Sequence, residues 1–345
     1  MLHLQGIKGH QSQIQRLALL LEKGAVPQAM LFSGIDGIGK RRIAESFLTA
    51  LFCTGNNPPC LACQACKQIM AGSFPDFIRI QPNERGSIPI GTEGKNEYGT
   101  IRWFTERLTR KSVSGTYAAL IDGIDHATPE GQNALLKTIE EPAANTHIIL
   151  ITSNRSAILP TILSRCFEIK FLPLPEETLC RILMEKEPAQ DEPKFLSQIS
   201  GGSASLARAL TNTELLDDIL QLCEEISSFI RGTGEKALQL SAVQKSRNSD
   251  QLIDTAINLY RLNIRLLIHG HPPHNSIKGE THFERFLKGI YFDNVQMAAA
   301  IIKIFLALKK GRTYNLNLRN SLKGMLYALH ERHVGELHLL NQTPG

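Results

Sequence analysis

Between residues 29 and 51 the chain reads Ala-Met-Leu-Phe-Ser, then Gly34-Ile-Asp-Gly37-Ile-Gly39-Lys40-Arg41, and then turns helical from Arg42 to Leu51. No other stretch limits the fold so strongly. The apolar run predicts a buried strand. The glycines let successive backbone N–H groups turn into one concavity, and the N-terminus of the following helix adds a favourable dipole for an anion. A lysine at the end of such a loop reaches the terminal phosphates of a nucleotide. Strand, glycine loop and helix in this order are the setting of a phosphate loop. Gly34, Gly37, Gly39 and Lys40 are therefore candidate nucleotide-binding residues.

A phosphate loop presupposes a sheet behind it, and four further apolar runs supply one. They are Phe77 to Ile80, Tyr117 to Asp122, His147 to Thr152 and Phe167 to Phe171, and helical segments separate most of them. Alternating strands and helices predict an α/β fold with a mostly parallel sheet. An earlier helix is expected around Ile14 to Leu21, ended by Gly24. After Pro173 and Pro175 the strand-like runs stop and helical periodicity takes over, broken once at Gly201-Gly202. The expected division is an α/β domain over 1–172, a small helical domain over 173–212 and a second all-α domain over 213–345. In the last, Leu316, Leu318, Leu322, Met325 and Leu326 suit a helix packed in a bundle. The polar, glycine-rich segment from Gln81 to Gly99 reads as a surface loop.

Two positions depart from a working nucleotide-hydrolysis site. The residue after the loop lysine is ordinarily Ser or Thr, which ligates magnesium. Here it is Arg41, which has no lone pair to offer a metal and carries like charge. The strand Tyr117–Asp122 ends in Asp122, placed to touch the metal's shell, but the next residue is Gly123, with no side chain to orient a water. Positioning and electrostatics supply most of phosphoryl-transfer catalysis. The expectation is a chain that hydrolyses no nucleotide by itself.

Of seven cysteines, Cys53, Cys60, Cys63 and Cys66 fall within one short loop. The N-terminus shows no basic region followed by an apolar run, so the chain is expected to be cytoplasmic, where such clustering points to metal rather than disulfides. Four thiolates suit a closed, structural Zn²⁺ site; an iron–sulfur cluster is the less favoured alternative. Cys180 and Cys223 are expected in the core. A formal net charge of +5 is compatible with nucleic acid nearby without requiring contact.

Three stretches carry a resemblance. Asn133-Ala-Leu-Leu-Lys-Thr-Ile-Glu-Glu-Pro142, Leu159-Pro-Thr-Ile-Leu-Ser-Arg165-Cys166 and the cysteine loop just after the phosphate-loop helix are similar to those of bacterial replicase clamp-loader subunits, an AAA+ family. The resemblance implies an AAA+ domain, a helical lid and a helical collar. It implies a ring that uses ATP to open the sliding β clamp and place it on primed DNA. Arg165 would then act in trans as an arginine finger on a neighbour's ATP, and Thr152 with Ser153 would stand at the sensor 1 position. No residue is assigned to sensor 2: Leu206 occupies the place of its arginine, and Arg208 is either displaced from that place or simply exposed. Within the family, Arg41 and Gly123 resemble the delta-prime branch, with the tau/gamma motor subunits and the delta subunit as partners. The alternatives are an ATP-hydrolysing motor of the tau/gamma type and a zinc-bearing DNA-binding module.

Overall fold

A computed structural model gives the fold. It describes residues 7–95, 97–186, 192–233, 238–240, 243, 249–270, 281–311 and 317–340. The chain divides into two compact units, Met1–Leu174 and Pro175–Gly345.

The first unit holds all the β-structure described. Its order is α1 (Gln11–Glu22), β1 (Ala29–Ser33), α2 (Lys40–Ala50), α3 (Gln64–Met70), β2 (Phe77–Ile80), α4 (Ile101–Thr109), β3 (Tyr117–Asp122), α5 (Pro129–Glu140), β4 (Thr146–Thr152), α6 (Pro160–Leu163) and β5 (Phe167–Lys170). The strands lie in the order β2-β3-β4-β1-β5, and every pairing is parallel. Parallel neighbours need crossovers, and the helices that make them cover both faces. Every residue of β1 is accordingly buried, as are the first five of β3. On one face Leu31, Ala119, Ile121, Ile148 and Leu150 pack with Ile101, Phe104 and Leu108 of α4 and with Leu135 and Ile139 of α5. From α2, Ile43, Ala44, Phe47 and Leu48 are wholly buried, following the i, i+1, i+4, i+5 stripe of an amphipathic helix.

Register brings the candidate residues together. Ser33 pairs with Thr152, and Asp122 pairs with Ile151, so β1, β3 and β4 end at one edge. Ligands of open parallel sheets sit outside that carboxyl edge. The α2 helix begins at Lys40, two residues earlier than the apolar pattern indicated, because Gly39 takes the N-cap. The 81–99 segment is more tied down than its composition suggested. Ile88 is buried and bridges Ala127 in parallel, and the Asn83 side chain accepts from the backbone N–H groups of Arg85 and Ser87.

The second unit is helical throughout its described residues: α7 (Glu176–Lys186), α8 (Pro193–Ile199), α9 (Ala204–Ala209), α10 (Thr213–Arg231), α11 (Ser249–His269), a turn at His282–Arg285 running into a π turn at Phe286–Ile290, α12 (Val295–Gly311) and α13 (Leu318–Leu340). Asn212 caps α10 through Glu214 N, and Gly232 ends it with a positive φ of 70°. Several buried polar side chains at the centre are paired, although Thr255 Oγ1 has no partner among the described residues. The Tyr260 hydroxyl meets Ser227 Oγ at 3.0 Å and the Cys223 carbonyl at 3.2 Å, and Asn263 both donates to Phe292 O and accepts from Phe292 N. Asn258 donates to the carbonyl of Ile199, tying α11 to the end of α8. Cys223 is buried as expected, while Cys180 is half-buried. Leu322 and Leu326 face inward; Leu316 lies outside the described residues. Among the described residues no single helix is long and apolar enough to cross a membrane.

Candidate nucleotide and metal sites

The phosphate loop has its predicted frame. Gly34, Gly37 and Gly39 all have positive φ, at 153°, 74° and 99°. Gly34 is required for a second reason: a Cβ there would lie 2.4 Å from the Phe171 carbonyl. The Gly34 N–H donates to Thr152 O, and Phe171 N donates to Ser33 O, so β4 and the end of β5 hold the mouth of the loop. His10 Nε2 reaches the Ile38 carbonyl at 2.9 Å, and its ring meets Phe171 edge-on. Burial and the nearby Lys40 charge lower the His10 pKa, against the raising effect of that bond.

Lys40 is buried at 5% exposure and donates to the carbonyls of Gly34 and Ile35, each at 2.7 Å. Burial lowers its pKa, opposed by Asp36, Asp122 and Asp125. The loop thus has the glycine backbone of an anion cradle, with Lys40 turned onto the loop's own carbonyls.

What surrounds Arg41 is different. Its Nε donates to Glu45 Oε1 at 3.0 Å, and its Nη1 donates to Gln81 Oε1 at 2.9 Å and to Asp122 Oδ2 at 3.4 Å. Arg79 reaches the same Glu45 oxygen at 3.4 Å. One guanidinium therefore links α2, the end of β2 and the end of β3. Burial raises the Asp122 pKa, while Arg41 and Lys40 hold it down. Magnesium, which a hydrolytic version of this site would use, fits badly here. The hydroxyl ligand is missing, and the carboxylate that would face the metal's shell already faces a cation.

Gly123 sits in the left-handed region, at φ 86° and ψ 50°, and opens a short turn at Ile124–His126. A Cβ there would come within 3.0 Å of the His126 ring. Asp125, next in line, turns elsewhere: its Oδ2 accepts from Ser153 Oγ and Asn154 N, both at 3.1 Å. Thr152 is fully buried, and its hydroxyl accepts from Asn154 N at 3.0 Å. Sequence reasoning named Lys40, Asp122 and Thr152, which the structure places at one edge of the sheet. It missed Gln81 and Glu45, the partners of Arg41. Glu45 sits one helical turn after Arg41, a spacing that was legible; Gln81 is legible only once β2 is placed.

Arg165 lies just beyond α6. Its Nε is paired with Glu140 at the end of α5, and Nη1 donates to the Thr161 carbonyl at 3.0 Å. Both side chains are about two-fifths exposed, at 38% and 42%. In this chain the arginine is folded back on a local carboxylate. An exposed pair of this kind is worth roughly 0–1 kcal/mol, so it is easily exchanged.

Of the cysteines, Cys53, Cys60, Cys63 and Cys66 place their sulfur atoms within 4.8 Å of one another. A ZnS₄ tetrahedron has edges of about 3.8 Å, so a small contraction closes the set on an ion. Two backbone N–H groups already point at sulfur: Cys60 N to Cys53 Sγ at 3.2 Å and Cys63 N to Cys60 Sγ at 3.3 Å. N–H bonds to sulfur favour the thiolate, and backbone bonds draw the Cys63 pKa down to about 6. Burial pushes Cys66, which lies in the first turns of α3, up to about 12. A Cβ on Gly55 would lie 2.7 Å from Cys60 Sγ, so the loop closes tightly around its sulfurs. The donor set fits a four-coordinate soft metal and leaves no position for water.

Comparison with known proteins gives several likenesses. Residues 9–175 match the family described as DNA polymerase III, delta subunit. The DNA polymerase III subunit delta' of Pseudomonas aeruginosa is 31% identical over 210 residues, covering 59% of this chain and 61% of that one. The tau/gamma subunit of Haemophilus influenzae is 26% identical over 328 residues, covering 86% of this chain and 45% of that one. This chain thus spans less than two thirds of the length of either relative. A crystal structure of a DNA polymerase III gamma subunit-related protein from Thermotoga maritima aligns over 93% of this chain and 99% of that one, at 18% identity and a TM-score of 0.42. Both the delta' and the tau/gamma types stand among the relatives, and over residues 9–175 the chain is similar to DNA polymerase III clamp-loader subunits.

Proposed function

We propose that the chain is the delta-prime type of clamp-loader subunit: it completes an ATPase ring and hydrolyses no ATP itself. The observation that carries this reading is the Arg41–Asp122 pair, which puts a protein cation where a hydrolytic site needs a metal. Gly123 supports it, since no carboxylate follows Asp122. Residues 1–172 would be the AAA+ domain, 173–212 the lid and 213–345 the collar through which subunits assemble. The partners would be the tau/gamma motor subunits and the delta subunit, acting on the β clamp and primed DNA in the cytoplasm. Zinc would brace the cysteine loop through Cys53, Cys60, Cys63 and Cys66. Thr152 would be a remnant of a sensor, with its hydroxyl committed to Asn154.

In this reading Arg165 leaves Glu140 when a motor subunit docks and places its guanidinium on that neighbour's γ-phosphate. The planar fork matches phosphate oxygens and stabilises charge developing on them. The test is DNA-stimulated ATP hydrolysis by the reconstituted complex with Arg165→Ala in this chain. Turnover at the one site served should fall by roughly 10³-fold or more, seen as a partial loss of total rate in a complex that still assembles. Unchanged turnover would remove the finger. A second reading, a motor of the tau/gamma type, draws on the likeness to the Haemophilus influenzae subunit across 86% of this chain. Sustained magnesium-dependent hydrolysis by the purified chain would establish it instead.

A further inference from the structure

The phosphate loop and the magnesium site have parted company in this chain. The cradle is intact: the glycines keep their positive φ, Lys40 is in place, and α2 is a full eleven-residue helix whose N-cap, Gly39, offers no competing side chain. What has changed is one group. Arg41 replaces the hydroxyl that would ligate the metal, and its guanidinium bridges Glu45, Gln81 and Asp122. That position, between the start of α2 and the acid that ends β3, is where a divalent cation would otherwise balance phosphate charge.

We propose that Arg41 is the resident cation of this site, so that the loop takes the polyphosphate of a nucleoside di- or triphosphate without magnesium. The proposal deepens the reading of the chain as a non-hydrolysing subunit, and rests on it only for the absence of turnover. Arg41 is suited to the role. Its bonds to protein use Nε and Nη1, and Nη2 makes none of the hydrogen bonds found among the described residues. The side chain is 42% exposed, so the guanidinium is not sealed away from a ligand. Glu45 and Gln81 hold it in one orientation, which removes much of the entropy an arginine loses on meeting phosphate. Lys40, on the adjacent residue, would exchange its two carbonyl acceptors for phosphate oxygens. Magnesium would work against such binding: it ties up free polyphosphate in solution, and in the site it would face a guanidinium and a carboxylate already paired.

The experiment is calorimetric titration of the purified, zinc-loaded full chain with ADP, with ATP and with inorganic tripolyphosphate, each in magnesium-free buffer without chelator and in excess Mg²⁺. The expected result is binding without Mg²⁺ at least as tight as with it for all three. Arg41→Thr, which restores the hydroxyl, should reverse the order and bind at least tenfold more tightly with Mg²⁺. Arg41→Gln keeps a polar side chain without the charge; it should weaken metal-free binding tenfold, with its circular dichroism spectrum unchanged. Wild-type binding that requires Mg²⁺ overturns the proposal, as does the absence of binding at millimolar ligand in magnesium-free buffer by the zinc-loaded chain. Neither result touches the finger reading, which the Arg165→Ala complex tests separately.

Discussion

Helix α2 carries a loop at either end, and the two have kept different things. The loop before it, Gly34 to Gly39, has the backbone shape and the lysine of a phosphate loop but is followed by Arg41 where a metal-ligating hydroxyl would stand. The loop after it, Cys53 to Cys66, keeps all four sulfur ligands on a backbone with little regular structure. The first is packed into the sheet: Gly34 is held by β4 and β5, and Ile38 is almost wholly buried. Its shape persists because the core around it would be disturbed by any change. The second has a thin hydrophobic complement, with Cys66 and Ile69 the buried residues of α3, and on the zinc reading it would depend on its ligands for order. A site can do without metal chemistry when packing alone maintains its fold. It could not if the metal were the packing.

Removing the metal from the cysteine loop should have the largest effect. Structural zinc binding contributes on the order of 10 kcal/mol to small modules. Cys66→Ala should lower zinc from one equivalent to none by metal analysis and expose residues 53–70 to hydrogen exchange. Added magnesium should leave exchange in residues 34–41 of the nucleotide-free chain unaltered. Equal protection of the cysteine loop with and without metal would break the contrast.

Gly34→Ala comes next. The added Cβ would collide with a backbone carbonyl, and the loss should be roughly 1–3 kcal/mol in denaturant unfolding. Gly39→Ala meets open space and should cost about 1 kcal/mol or less, through its positive φ alone. Similar losses at both would mean that the sheet does not grip the loop. Gly123→Glu, which writes the missing acid back, should destabilise by roughly 1–2 kcal/mol because φ there is 86°, and should restore no hydrolysis while Arg41 remains. Arg41→Ala should change stability by less than about 1 kcal/mol, since its pairs are partly exposed.

The smallest effect concerns acid. Burial raises the Glu168 pKa, but bonds from Arg155 and Ser33 outweigh it and leave a net lowering. A depressed carboxyl contributes its stability above the unfolded pKa and loses it as pH falls through the folded one. Arg155→Ala should therefore lower stability slightly near neutrality and flatten its decline in acid. An unchanged pH profile would show the pair to be idle.

Much of this was legible from local pattern. All five strands fell where apolar runs stood, because parallel strands buried on both faces leave continuous hydrophobic stretches. The cysteine cluster was plain from spacing. What pattern could not reach were pairings across the fold. Arg41 was identified as a defect, but its meeting with Asp122 spans 81 residues and depends on strand order. Arg165 carried a family expectation, while the carboxylate it rests on, Glu140, became visible only when α5 and α6 were set side by side. The strap from Ile88 to Ala127 was hidden because a single buried isoleucine in a polar loop has no period.

Gly123 also bears on what a single substitution could do to the site. A glycine and a glutamate can be one base change apart, so an acid after Asp122 looks simple to introduce. The turn has a handedness that only glycine adopts freely, with the His126 ring close by. A glutamate there would meet the backbone penalty at once, and on the proposed reading it would gain nothing while Arg41 stood in the metal's place. The conformation would thus act as a barrier in its own right: the shape of the turn, apart from any chemistry, opposes the acid.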